Sequence, residues 1–265
     1  MAKAPAKLRR RHFLLGAAAA GIGCTEGAAR ADEKLLRIAY PDKSPPNSWE
    51  DQDRRMRGVM VDLVAEVARM TGYRFRPLPR PLPRVQLEVE SGEADGMCLV
   101  VTPTRQKFAT AAGAPLTTGP VTLFVRRDNP ALERLQAVRS LDDLARADVT
   151  VVGITGNGWV KKNIEERGIR TEHASGTIGT VRMLIGKRGD VIVDMSSQIN
   201  WILKEMPGGG DIVELPAVME QVDWHLQISK RSPVIGDLPR LTHAIKKLKA
   251  SPLYQTILKK YGMKV

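Results

Sequence analysis

Aromatic side chains are scarce: Phe, Tyr and Trp contribute four residues each and together make up 5% of the 265-residue chain. They do not interleave with the basic runs, and no zinc knuckle or helix-turn-helix signature is present, so nucleic acid is excluded as an expected partner. Histidine is equally sparse. The four histidines have no metal-ligand spacing, and neither a metal nor another cofactor is expected. There are two cysteines, Cys24 and Cys98. Cys24 lies in a removable leader and Cys98 stands among apolar residues, so no internal disulfide is expected and Cys98 reads as core. The apolar run from Phe13 to Ile22 is too short for an ordinary membrane span. Low-complexity stretches are missing as well. Hydrophobic residues make up 43%, and 23 glycines and 17 prolines punctuate periodic segments, which describes a folded globular chain of one large domain or two smaller ones.

The N-terminus carries an export pattern. Arg9, Arg10 and Arg11 precede the apolar run, and Arg10 and Arg11 followed by His12, Phe13 and Leu14 resemble a twin-arginine signal, with the general secretory route as the alternative. Ala29, Arg30 and Ala31 form a small, any, small cleavage pattern that makes residues 1–31 the leader and Asp32 the first mature residue. Gly21 to Cys24 is a weaker lipoprotein box lacking the usual leucine; lipid attachment at Cys24 is the lesser expectation. Removal of residues 1–31 takes six basic residues and one acidic residue from a net charge of +12 and leaves +7. That surplus favours anionic partners or simply solubility.

The mature chain alternates strand and helix signals. Leu36 to Tyr40 reads as a strand, followed by a loop at Pro41, Pro45 and Pro46. Met60, Leu63, Val64, Val67 and Ala68 recur at helical spacing up to Gly72. Tyr73 and Phe75 alternate with arginines as a strand. Val85 and Val89 mark a helix between Pro83 and Gly92, and Met97 to Val101 is a buried strand. This β-α-β-α-β order calls for a parallel sheet covered by helices. The grammar returns after Ser140, a cap for a helix at Leu141 to Leu144. A strand at Thr150 to Ile154, helices around Val160 and Val181, and a strand at Val191 to Val193 follow. Extended segments at Val121–Val125 and Asp223–Ser229 lie where the two units meet. The helices marked by Leu238 to Leu248 and Leu253 to Tyr261 are placed back against the first unit. The expected fold is therefore α/β, two lobes joined by two hinge crossovers around a cleft. Residues 32–120 with 230–265 form lobe one, and residues 121–229 form lobe two with the hinge strands.

From Leu36 to Met263 the order of these features resembles the bacterial extracellular solute-binding proteins of family 3, the polar amino-acid type, with a periplasmic binding protein type II fold. The matching features are Leu36-Arg37-Ile38, Pro45-Pro46, Gly58 to Leu63, Ser91 to Asp95, Thr102 to Arg105, and Gly153 to Gly156. The resemblance implies a monomeric periplasmic receptor that binds a small anionic or zwitterionic solute and delivers it to an ABC permease. It also implies a lobe-one arginine for the ligand carboxylate. Arg105, after Thr102, Pro103 and Thr104, fits that role because a guanidinium donates two parallel hydrogen bonds. An ungapped reading puts Lys107 there instead. For the ligand's ammonium group it implies Asp194, at the end of the Val191–Val193 strand, with Thr155 and Gly156 as further donors; capping of a helix at Ser196 is the other reading of Asp194.

The departures matter. Lys43 and Ser44 replace a ligand-stacking aromatic in the first loop, Val100 stands near a common serine or threonine, and Trp49, Trp159 and Trp224 are candidates to line the pocket. A non-enzymatic receptor is the favoured reading. The competing ones are a periplasmic accessory or sensor protein associated with a quinoprotein dehydrogenase and an enzyme resembling cyclohexadienyl dehydratase. For the latter Glu93, Asp95 and His225 would have to serve in acid catalysis.

Overall fold

The computed structural model describes residues 34–263. The leader, with the export and lipidation expectations for residues 1–31, lies outside the described residues. In chain order the principal elements are β1 (Leu35–Pro41), α1 (Val59–Met70), β2 (Arg74–Arg80), α2 (Leu82–Ser91), β3 (Gly96–Val100) and β4 (Thr117–Arg126). Then follow β5 (Thr150–Ile154), α3 (Gly158–Asn163), β6 (Arg170–Ala174), α4 (Thr177–Ile185), β7 (Val191–Met195), α5 (Ser196–Glu205) and β8 (Ile212–Ser229). Two helices, α6 (Leu238–Lys249) and α7 (Pro252–Lys260), complete the chain.

The strands lie in the order β6-β5-β7-β4-β8-β3-β1-β2. Pairing is parallel within β2-β1-β3 and within β6-β5-β7, giving one α/β lobe at each end. Between them β4 and β8 are antiparallel. The N-terminal end of β8, from Ile212, pairs with the β4 residues that also meet β7, while its C-terminal end, Trp224–Ile228, pairs with β3. One long strand pair thus runs from one lobe into the other.

Local sequence explains the elements that frame the cleft. Helix α1 buries Val59, Met60, Leu63, Val64 and Val67 on one face, against α6 and α7 as expected for the terminal helices. Gly58 precedes it at φ +134°, and a Cβ there would lie 2.2 Å from the Asn47 carbonyl oxygen, so both conformation and space require glycine. Helix α2 ends on Gly92 in the left-handed conformation. Pro77 and Pro79 lie in β2, the edge strand, where missing N–H groups leave no inner ladder bond unmade. Ser140 caps its short helix by accepting a hydrogen bond from the Asp143 N–H, as expected.

Two expectations are corrected. The segment after β1 is not all loop: Lys43–Ser44, Ser48–Glu50 and Met56–Arg57 form a small three-stranded sheet. Strands of two or three residues are too short to show a period of two. The second extended segment begins at Ile212 rather than Asp223. Its first part is interrupted by Pro216 and by register shifts between Glu214 and Glu220, which break the alternation that marks a strand.

Candidate functional site

Arg105 belongs to a single helical turn, Pro103–Gln106, that follows β3 and is capped by the Thr102 hydroxyl, which accepts the Arg105 N–H at 3.3 Å. Its side chain enters the interior, and the residue is 2% exposed. The guanidinium donates to the Val100 carbonyl at 2.7 Å and to Gln86 Oε1 at 3.2 Å. No carboxylate among the described residues forms an ion pair with it. Burial lowers its pKa from 12.5 to about 10, so the group remains a cation at neutral pH.

Asp194 occupies the end of β7 in the opposite lobe. Its Oδ1 accepts the Met195 N–H at 2.7 Å and, among the described residues, its carboxylate takes part in no salt bridge. Loss of solvent raises its pKa from 3.8 to about 6, with the Met195 N–H opposing the shift. It does not cap the following helix: Met195 is the residue before α5, and no side chain caps that end.

Arg105 and Asp194 line the same cavity between the lobes. The cavity has a volume of only about 60 Å³, so the cleft is narrow. The lobes are in contact around it. Gln86 Nε2 donates to the Gly156 carbonyl at 3.0 Å, and the Thr177 hydroxyl lies 3.4 Å from that of Ser44. Outside the cavity the rings of Trp49 and Trp201 pack in a tilted contact with centroids 5.3 Å apart. Gln86 therefore holds the Arg105 guanidinium through its oxygen and the opposite lobe through its nitrogen.

The other expected residues separate from this pair. Thr102, Thr104, Thr155 and Gly156 line a neighbouring, wider cavity together with Lys161 and His173. Lys107 is exposed at the end of the Pro103–Gln106 turn and lines neither cavity; its carbonyl accepts a hydrogen bond from Lys230. Trp159, Trp224 and Val100 do border the central cavity, whereas Trp49 packs on Trp201 and Tyr261. Ser44, Asn157, Thr177 and Gln198 line the cavity without having been singled out as ligand contacts. Asn157 announces itself in sequence only as a cap, accepting the Trp159 and Val160 N–H groups. Gln198 carries no local signal.

The residues considered for acid catalysis do not converge. The Asp95 carboxylate is bound by Arg37 at 2.9 Å and by the Ser232 hydroxyl at 2.8 Å, Glu93 is exposed, and His225 Nδ1 faces the Ala112 carbonyl at 2.9 Å. None of the three lines the central cavity. Cys98 is buried, and burial pushes its thiol up to about 12, consistent with a core position.

Comparison with known proteins gives a concordant result. The profile of the bacterial extracellular solute-binding proteins, family 3, matches residues 36–264. No curated protein matches the chain. Among solved structures, a mutant of ArgBP from T. maritima is 19% identical with a TM-score of 0.71, over 86% of this chain and 95% of that one. A histidine kinase sensor domain described as similar to periplasmic binding proteins is 18% identical with a TM-score of 0.76, over 87% and 97%. An ancestral amino-acid-binding protein, described as a precursor of cyclohexadienyl dehydratase, is 19% identical with a TM-score of 0.68, over 86% and 95%. At these identities the likeness establishes the type II two-lobed fold.

Proposed function

We propose, from the premise that the chain belongs to the bacterial extracellular solute-binding proteins of family 3, that it is a periplasmic receptor for a small amino-acid-like zwitterion. It hands this ligand to an ABC permease. The observation that carries this reading is the pairing of two unneutralised charges, Arg105 from one lobe and Asp194 from the other, on the wall of one interlobe cavity. A buried charge without a partner is costly, so each persists because something else completes it. A ligand carboxylate satisfies the guanidinium with a bidentate pair, and a ligand ammonium satisfies the carboxylate. Because the charges sit on different lobes, one ligand that meets both favours the closed arrangement over any open one, the energetic basis of capture by closure. Thr102, Thr104, Thr155 and Gly156 then serve the rim of the cleft, and Arg105 rather than Lys107 is the carboxylate anchor.

The test is native mass spectrometry of the protein purified from periplasm, followed by calorimetry of the retained compound on wild type and on Arg105→Ala, Lys107→Ala and Asp194→Ala. Loss of binding in the first and third variants with little change in the second is expected. A selective loss in Lys107→Ala would reassign the anchor. Unchanged binding in all three would refute the site. Co-purification with a dehydrogenase, with no small molecule retained, would replace transport by an accessory role.

A further inference from the structure

The wall of the cavity holds one cation and one anion and no third charged side chain. If the carboxylate and ammonium of a zwitterion meet Arg105 and Asp194, whatever else the ligand carries faces the remaining wall. That wall is largely hydrocarbon: Leu82, Leu99, Val121, Ile154, Val193 and Val222 all contribute to it. Its two tryptophans add ring surface rather than hydrogen-bonding edges. The Trp159 indole N–H is already bonded to Glu220 at 2.5 Å, and that of Trp224 lies 2.6 Å from the Met195 sulfur. The neutral polar groups are mostly engaged too. Ser44 and Thr177 meet each other, and Asn157 Oδ1 receives two backbone N–H groups. Gln198 and Asn157 Nδ2 are the exceptions: Gln198 is 3% exposed, and neither amide group donates a hydrogen bond among the described residues.

We infer that this receptor selects α-amino acids with uncharged, aliphatic side chains and rejects those with a charged side chain. The inference rests on the zwitterion reading of Arg105 and Asp194 and adds the side-chain class to it. A guanidinium, ammonium or carboxylate on the ligand's side chain would lose its water on closure and find no opposite charge on the wall, which is discrimination by an unpaired buried charge. An aliphatic side chain loses nothing of that kind and gains from removing its own surface and that of the wall from water. The narrowness of the cleft works in the same direction, because a compact branched side chain needs the lobes to part less than a long extended one does.

The experiment is calorimetry on the full mature chain, stripped of retained ligand by reversible unfolding, with L-valine, L-leucine, L-arginine and L-glutamate. Two analogues of leucine accompany them, 4-methylpentanoate without the amine and 3-methylbutylamine without the carboxylate. Valine or leucine is expected to bind at least tenfold more tightly than arginine and glutamate, and at least tenfold more tightly than either analogue. Arginine or glutamate binding within tenfold of the better aliphatic amino acid would overturn the side-chain inference while leaving the zwitterion reading intact. An analogue binding as well as leucine would instead overturn the zwitterion reading. Binding by none of the six compounds would overturn both.

Discussion

Replacing Asp194 by asparagine should make the unliganded protein more stable while disabling it as a receptor. The carboxylate is half-buried, receives one backbone N–H, and forms no salt bridge among the described residues, and its desolvation raises its pKa from 3.8 to about 6. The folded state therefore holds the Asp194 proton more tightly than the unfolded chain does. Between these two values stability falls as pH rises, and above the upper one the full difference has been lost. At about 1.4 kcal/mol per pH unit the difference amounts to at most about 3 kcal/mol for a group that keeps some exposure to the cavity. Asparagine cannot ionise, yet its side-chain oxygen still accepts the Met195 N–H. Asp194→Asn should then gain up to about 3 kcal/mol over wild type at a pH near 7.5, and little near pH 3.5, where the folded side chain is neutral and the unfolded one mostly so. The ligand ammonium loses its counter-charge in the same variant, which should weaken an amino-acid-like ligand by roughly 2–5 kcal/mol. Urea unfolding at both pH values, with calorimetry of the identified ligand, measures both effects. A variant that is less stable than wild type at pH 7.5, or that shows the same stability difference at both pH values, would refute the reasoning.

Gln86→Ala removes both the acceptor that holds the Arg105 guanidinium and the donor that reaches Gly156 across the cleft. Ligand affinity should fall by about 1 kcal/mol with little change in melting temperature, since the residue is half-buried on the cleft side of α2; unaltered affinity would show the bridge to be incidental. Arg37→Ala removes the guanidinium partner of Asp95, whose side chain is 1% exposed, and leaves it only the residue-37 backbone N–H and the Ser232 hydroxyl. Burial pushes the Asp95 carboxyl up, but the hydrogen bonds from Arg37 and Ser232, together with the Arg37 charge, outweigh it and hold the group below its ordinary value. The loss should be about 3 kcal/mol at neutral pH and should shrink as the pH falls through the depressed Asp95 pKa and the carboxylate is protonated. Denaturant unfolding as a function of pH checks it, and a loss that stays constant as the pH is lowered across the acid range would mean that packing rather than charge is responsible.

The parts of the fold legible in sequence are those in which burial imposes a period. Strands β1, β3, β5 and β7 are nearly continuous apolar runs because parallel strands are covered on both faces. The helices α1, α4 and α6 show their buried stripe, and Gly92 and Gly168 end helical segments in the left-handed conformation that glycine adopts without strain. Strand β6, Arg170–Ala174, leaves no such mark. It is an edge strand paired only with β5, it alternates charged and polar residues, and backbone pairing holds it without an apolar face. The same reason hides the early part of β8, whose residues between Glu214 and Gln221 are mostly solvent-exposed or half-buried.

The site is a different case, because its chemistry depends on which residues share a space. Arg105 and Asp194 were reachable through the order of family features, yet nothing along the chain separates Arg105 from Thr104, its neighbour in the same helical turn. Successive residues of a helix are rotated by about 100°. That rotation is enough to send the arginine into the central cavity and leave the threonine on the wider one beside it. Gln86 lies 19 residues before Arg105 and reaches it because α2 and the Pro103–Gln106 turn flank one end of the cleft. The apolar wall is hidden for a related reason: Leu82, Val121, Ile154 and Val222 come from four separate elements, and each reads locally as ordinary core. Most apolar residues between two lobes would indeed be core. What sets these apart in the proposed site is their enclosure with two unpaired charges, and that enclosure is a property of the closed pair of lobes rather than of any segment.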